Sequence, residues 1–134
     1  MEENSKQLLL KDLCGRLPYG VNVKTTGDNE SYTLLSINWN KNIALIGLKF
    51  GDVYATSKIK IDEVKPYIRP MSSMTEEERK EYAKLLFDDL GGVYEDYYKA
   101  LDYLHSIHVD YRGLIPKGLA LEAPDGMYGK EEQQ

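Results

Sequence analysis

The periodicity of the sequence changes once, near Pro70, and this limits the fold more than any other feature. Before it, short apolar stretches alternate with turn residues. After it, apolar residues recur at three- and four-residue spacing. A chain that switches from a period of two to a period of 3.6 is neither all-helical nor all-strand.

In the first part, Val21 and Val23 alternate with Asn22 and Lys24, the pattern of a half-buried strand. The loop 27–30 leads into Ser31 to Trp39, rich in Tyr, Thr, Leu and Ile, and Asn40-Lys41-Asn42 turns the chain into Ile43 to Phe50. This last run is apolar enough for burial on both faces. Gly51-Asp52 is a two-residue hairpin signal. Beyond it Val53, Ala55, Ile59 and Ile61 alternate with Tyr54, Thr56, Lys58 and Lys60. Four short strands with tight turns predict a small curled antiparallel sheet or SH3-like barrel over residues 1–70.

In the second part, Thr75 followed three residues later by Glu78 is a capping box, and Glu76 to Glu78 suit the positive end of a helix dipole. Tyr82, Leu85, Leu86 and Leu90 make its apolar stripe, and Gly91-Gly92 reads as its stop. A second helix is expected from Val93 to about Ile107, with Val93, Tyr97, Leu101 and Leu104 on one face. From Val109 the chain is apolar yet broken by Gly113, Pro116, Gly118, Pro124 and Gly126. That composition predicts an irregular strap across both halves, with one short helix near Leu119. The class is α+β, with the helical hairpin and strap over residues 71–129 and a disordered tail over 130–134, all in one folded unit.

Charge divides along the same line. Residues 1–70 hold ten basic and eight acidic side chains, net +2; residues 71–134 hold seven and fourteen, net −7. The whole chain is at −5, which argues against non-specific coating of nucleic acid. The single cysteine, Cys14, excludes an internal disulfide. The N-terminus opens on acids and has only Leu8 to Leu10 as an apolar run, so no secretory signal or membrane span is expected and the protein reads as cytoplasmic.

Chemistry is sparse. Asp102, His105 and His108 recur every three residues and Asp110 follows, a spacing that lines one helix face with donors for a divalent metal. Histidines at a helix C-terminus are also favoured by the dipole alone, and no second element supplies ligands. Neither a metal nor another cofactor is therefore expected. The carboxylate pairs Asp88-Asp89 and Glu95-Asp96 are adjacent on helices and diverge by about 100°. There is no phosphate-cradling loop, GxSxG elbow or HExxH, and the chain does not read as an enzyme.

Two surfaces suggest binding instead. Tyrosine appears eleven times, and Tyr94, Tyr98 and Tyr103 lie off the apolar stripe of the second helix. With Trp39 on the sheet half they form a candidate protein interface, since tyrosine buries a ring while its hydroxyl stays wet. Packing of the same rings against the sheet and strap stays open. The second surface is Lys41, Lys49, Lys58 and Lys60, with Lys65, Arg69, Trp39 and Tyr54 close in sequence. Basic groups interleaved with aromatics can follow a single nucleic-acid strand, although no nucleic-acid fingerprint accompanies them.

The blocks KPYIRPMSSMTEEE at 65–78 and DYRGLIPKGLALEAPDGMY at 110–128, with KDLCGRLPYGV near the start, resemble a family of small uncharacterised proteins. These are encoded by phages, prophages and mobile elements of gut anaerobic bacteria. The resemblance runs over residues 7–128 and carries no chemistry that transfers to a residue. It implies a phage or mobile-element accessory protein in a bacterial host cytoplasm. The leading expectation is non-enzymatic binding of a host or phage protein. The alternatives are a nucleic-acid or nucleotide binder using the basic sheet face, and a minor virion or assembly component.

Overall fold

The computed structural model describes residues 2–87 and 93–128, the side chains at 87 and 93–97 excepted. The chain runs α1 (Glu3–Arg16), β1 (Asn22–Thr25), β2 (Tyr32–Asn38), β3 (Ile43–Phe50), β4 (Val53–Lys60), β5 (Val64–Pro70), α2 (Glu76–Phe87), α3 (Val93–Ser106), β6 (Val109–Asp110) and β7 (Leu121–Glu122). The strands form one sheet in the order β4-β3-β2-β1-β5-β6, with β7 also on β5. Pairs among β1 to β5 are antiparallel, whereas β6 and β7 join β5 in parallel.

The α+β class holds, but the sheet is open and no barrel forms. Closure is unnecessary because α1 covers one face. Leu9 and Leu13, one helical turn apart, are fully buried against Val21, Val23, Leu34, Ala44, Ile46, Val64 and Ile68. Each such side chain contributes roughly 1.5–3 kcal/mol by leaving water. Neither α1 nor β5 was in the expected element list. In α1 the buried stripe contains Asp12 and Arg16 beside its leucines, so hydropathy alone does not mark it. In β5 Pro66 and Pro70 interrupt the apolar run; proline cannot donate to a ladder and ordinarily demotes a strand.

The β2, β3 and β4 spans match their expected turns, including the Gly51-Asp52 hairpin. One expectation about β3 fails. It is covered on a single face only: Ala44 and Ile46 are buried, while Ile43 and Leu45 on the other face are half-buried and Lys49 and Phe50 exposed. Strand β4 is exposed along nearly all its length.

The capping box before α2 is present in both directions. The Glu78 amide donates to Thr75 Oγ1 at 3.1 Å, and the Thr75 amide donates to Glu78 Oε1 at 2.9 Å. The Gly91-Gly92 stop and the 130–134 tail lie outside the described residues. The strap does cross both halves. Leu114, Leu119 and Ala120 enter the main core, and Val109 packs with Met74 and Leu104 in a smaller one. No short helix forms near Leu119; turns at 114–119 lead directly into β7.

Candidate functional site

Two concentrations of polar side chains stand out, one buried and one open. The buried one joins α1 to the end of α3 and the start of the strap. Arg16, fully buried, donates from Nε to Asp12 Oδ2 at 2.7 Å and from Nη2 to the Val109 carbonyl at 2.7 Å. Asp12 also accepts from Arg112 Nε at 3.1 Å, so one buried carboxylate serves two guanidinium groups. Both arginines lie over the Tyr111 ring, at 5.7 and 4.9 Å from its centroid. The Tyr111 hydroxyl pairs with His105 Nε2 at 2.7 Å. His105 in turn presses on Gly15, where an added Cβ would lie 2.6 Å from its ring. Only glycine lets α1 and α3 approach this closely.

The histidines are structural in their present setting. His108 stacks on Tyr128 with ring centroids 3.6 Å apart and planes 11° from parallel. Burial, then the nearby Arg16 and Arg69 charges, pushes its pKa down to about 4. Burial, then Arg16, also lowers that of His105. Asp110 accepts the Leu114 and Ile115 amides at 2.8 and 2.9 Å and so caps the following turn, while Asp102 is exposed. Among the described residues, no three His, Cys, Asp or Glu side chains gather as metal donors. Arg69, counted above with the basic sheet residues, is a clamp between the halves. It grips Glu78 through both terminal nitrogens at 2.7 and 3.0 Å and reaches the Ser73 and Ile107 carbonyls. With its donors committed, it leaves the basic set.

The open concentration is the sheet face opposite α1. Cross-strand register aligns Ser36, Leu45 and Lys58 in one row and Asn38, Ile43 and Lys60 in the next. Lys49 stands beside Tyr54 further along the same face. The row Thr33, Gly47, Thr56 lies between, and Gly47 is required there: a Cβ would lie 2.8 Å from both Leu35 and the Tyr54 ring. Continuing across β1 and β5, the face adds Asn22, Lys24, Lys65 and Tyr67. No strand residue on this face is a carboxylate. Lys24 and Lys65 share a cavity with Glu63, and Lys24 already donates to the Thr25 and Asp28 carbonyls, so their charge is partly answered. Among the described residues, no ion pair engages Lys41, Lys49, Lys58 or Lys60, on β3, β4 and the Asn40–Asn42 turn.

The aromatic candidates scatter. Trp39, in the β2–β3 turn, is 69% exposed and Tyr98, on α3, is 67% exposed. Tyr103 is half-buried, and burial together with Glu78 and Glu81 raises its pKa. The Tyr94 side chain lies outside the described residues. At the opposite end of β3 from Trp39, Phe50 and Val53 are 58% and 64% exposed on the α1-facing side of the sheet, past the limit of the core. The sequence singled out neither, because strand alternation does not say where a covering helix ends. No helix among the described residues is long and apolar enough to cross a membrane. No family model matches the chain, and no curated protein or solved structure is significantly similar to it.

Proposed function

We propose that this chain is a non-enzymatic binding module that holds single-stranded nucleic acid on the open face of its sheet. The observation that carries the reading is the register of β2, β3 and β4, which sets Lys60 and Lys58 side by side near the Lys41 turn and Lys49 about 13 Å further along the same uncovered face, whose strand residues include no carboxylate. An open sheet face with lysines, small polar groups and a ring such as Tyr54 suits a strand that is held by its phosphates and stacked through its bases.

The net charge of −5 does not oppose this. The acidic helices α2 and α3 dock by β5 and β6, four strands away from β4. At roughly 4.8 Å per strand that is about 19 Å, more than two Debye lengths at physiological salt. A ligand on β4 therefore meets the lysines and little of the distant negative field.

The test is fluorescence anisotropy with a labelled single-stranded oligonucleotide at several salt concentrations. Four phosphate contacts predict a slope of log K against log salt near −3, at about −0.7 per contact. Replacing Lys49, Lys58 and Lys60 together by alanine should bring the slope to about −0.7. Absence of binding at low salt, or binding indifferent to salt, refutes the proposal.

A second reading, a protein partner, draws on the exposed Phe50 and Val53 and on Trp39 and Tyr98. It predicts a stoichiometric protein complex that survives nuclease and is lost in Phe50→Ser/Val53→Ser. A complex unchanged by those substitutions removes the hairpin tip from consideration.

A further inference from the structure

We infer that the sheet face contains a subsite for one unstacked nucleobase, in the groove between Lys41 and Lys58. This rests on the nucleic-acid reading above and adds recognition of bases to recognition of charge. The groove measures about 230 Å³ and is lined by Ser36, Asn38, Lys41, Ile43, Leu45 and Lys58. That is below the roughly 300–1,000 Å³ of pockets that enclose drug-sized ligands, and it suits a single planar ring.

Its construction follows from the register. Ile43 and Leu45, two residues apart on β3, form an apolar floor that the fold leaves half-buried. Ser36 opposite Leu45 and Asn38 opposite Ile43 supply a hydroxyl and an amide on the β2 side, and Lys58 borders the β4 side. Asn38 Oδ1 accepts the Lys41 amide at 3.2 Å, which orients the side chain with its NH₂ group as the donor that remains. A ring laid on Ile43 and Leu45 would bury their exposed surface, with edge donors and acceptors at one wall and a lysine at each flank for the adjoining phosphates.

Two exposed aromatic residues lie close to the groove residues in the chain. Trp39 follows Asn38 directly and is open to solvent. Tyr54 lies four residues along β4 from Lys58, about 13 Å away at strand rise. Its side chain lies against Gly47 and is 42% exposed. An acidic peptide would satisfy the lysines and leave the apolar floor uncovered. A duplex keeps its bases stacked inside and cannot fill the groove. These features favour a flexible single strand over both.

The experiment compares three labelled polyanions on the full chain: a ten-residue oligothymidylate, an abasic decamer with the same number of phosphates, and polyglutamate. Base stacking predicts about tenfold or greater preference for the oligothymidylate over the abasic decamer. Ser36→Ile, at an exposed strand position, fills the groove and should bring oligothymidylate binding down to that of the abasic decamer. Lys58→Ala should weaken both. Should S36I melt early, Asn38→Ala, at another exposed position, removes the edge donor and should reduce the preference. Equal binding of the two decamers with steep salt dependence overturns the subsite and leaves the charge-based reading intact. Preference retained in a folded S36I also overturns the subsite. Polyglutamate binding as well as the oligonucleotide assigns the face to acidic peptides, and no binding by any of the three removes both readings.

Discussion

Replacing Asp12 alone by leucine should destabilise the protein far more than replacing Asp12 and Arg16 together by leucine and methionine. In the native chain both side chains are fully buried and 2.7 Å apart. Removing only the carboxylate strands the Arg16 guanidinium where water cannot reach it, with the Val109 carbonyl as its remaining acceptor. An uncompensated buried charge of this kind costs about 3–5 kcal/mol. Small domains hold only about 5–15 kcal/mol in total, so D12L approaches the limit of folding. In the double variant that charge is gone and methionine fills most of its volume. Arg112, whose side chain is 23% exposed, can turn its freed donors to solvent. The double variant should therefore recover at least half of the loss. The assay is urea denaturation followed by circular dichroism, with the midpoints compared at constant m-value. At about 3–5 °C per kcal/mol for a chain of this size, D12L should melt roughly 10–20 °C low. A cost below about 1 kcal/mol for D12L, or a double variant as unstable as the sum of the singles, would refute the argument that uncompensated charge dominates.

Two further outcomes follow from the same junction. His108 is neutral in the fold down to pH of about 4 but takes up a proton near 6.5 when unfolded. The unfolded state binds more protons in that window, so stability should fall as pH drops from 6.5 to 4, by on the order of 3 kcal/mol from this group; His108→Asn, which tolerates the φ of +63° found there, should flatten the dependence in pH-resolved melts. Gly15→Ala would ordinarily stabilise a helix by about 1 kcal/mol, yet here the new Cβ meets the His105 ring, so a lowered melting temperature is expected and a raised one would contradict the close approach.

What the sequence made legible was local. The hairpin at Gly51-Asp52 and the Thr75–Glu78 box are fixed by residues within three or four positions of each other, and both formed as read. What it hid depends on distant partners. Alternation along β4 predicts one buried face, yet the strand is exposed on both, with only Ile59 half-buried. Leu8 to Leu10 gave no clear stripe because a charged pair occupies the buried side of α1. By sequence Arg69 is one more basic residue, whereas in the fold it is held by Glu78, nine positions away across a turn. The lysines of the candidate surface are visible in the sequence, whereas the placement of Lys60 and Lys58 opposite Ile43 and Leu45 requires the register.

The contacts of the N-terminal segment carry a consequence for how the protein is made. Arg16 is tied to Val109, Asp12 to Arg112 and the Asn22 amide to the Tyr128 hydroxyl, separations of 93, 100 and 106 residues. At roughly 5–20 residues per second, synthesis delivers those partners about 5–20 s after α1 has been polymerised. A 14-residue helix with no partner is marginal in water; the sheet residues that cover Leu9 and Leu13 are complete by Ile68, but the polar ties of Asp12 and Arg16 wait for residues 109–112. The buried charged junction of α1 is thus completed only after the whole of β1 to β5 has been made.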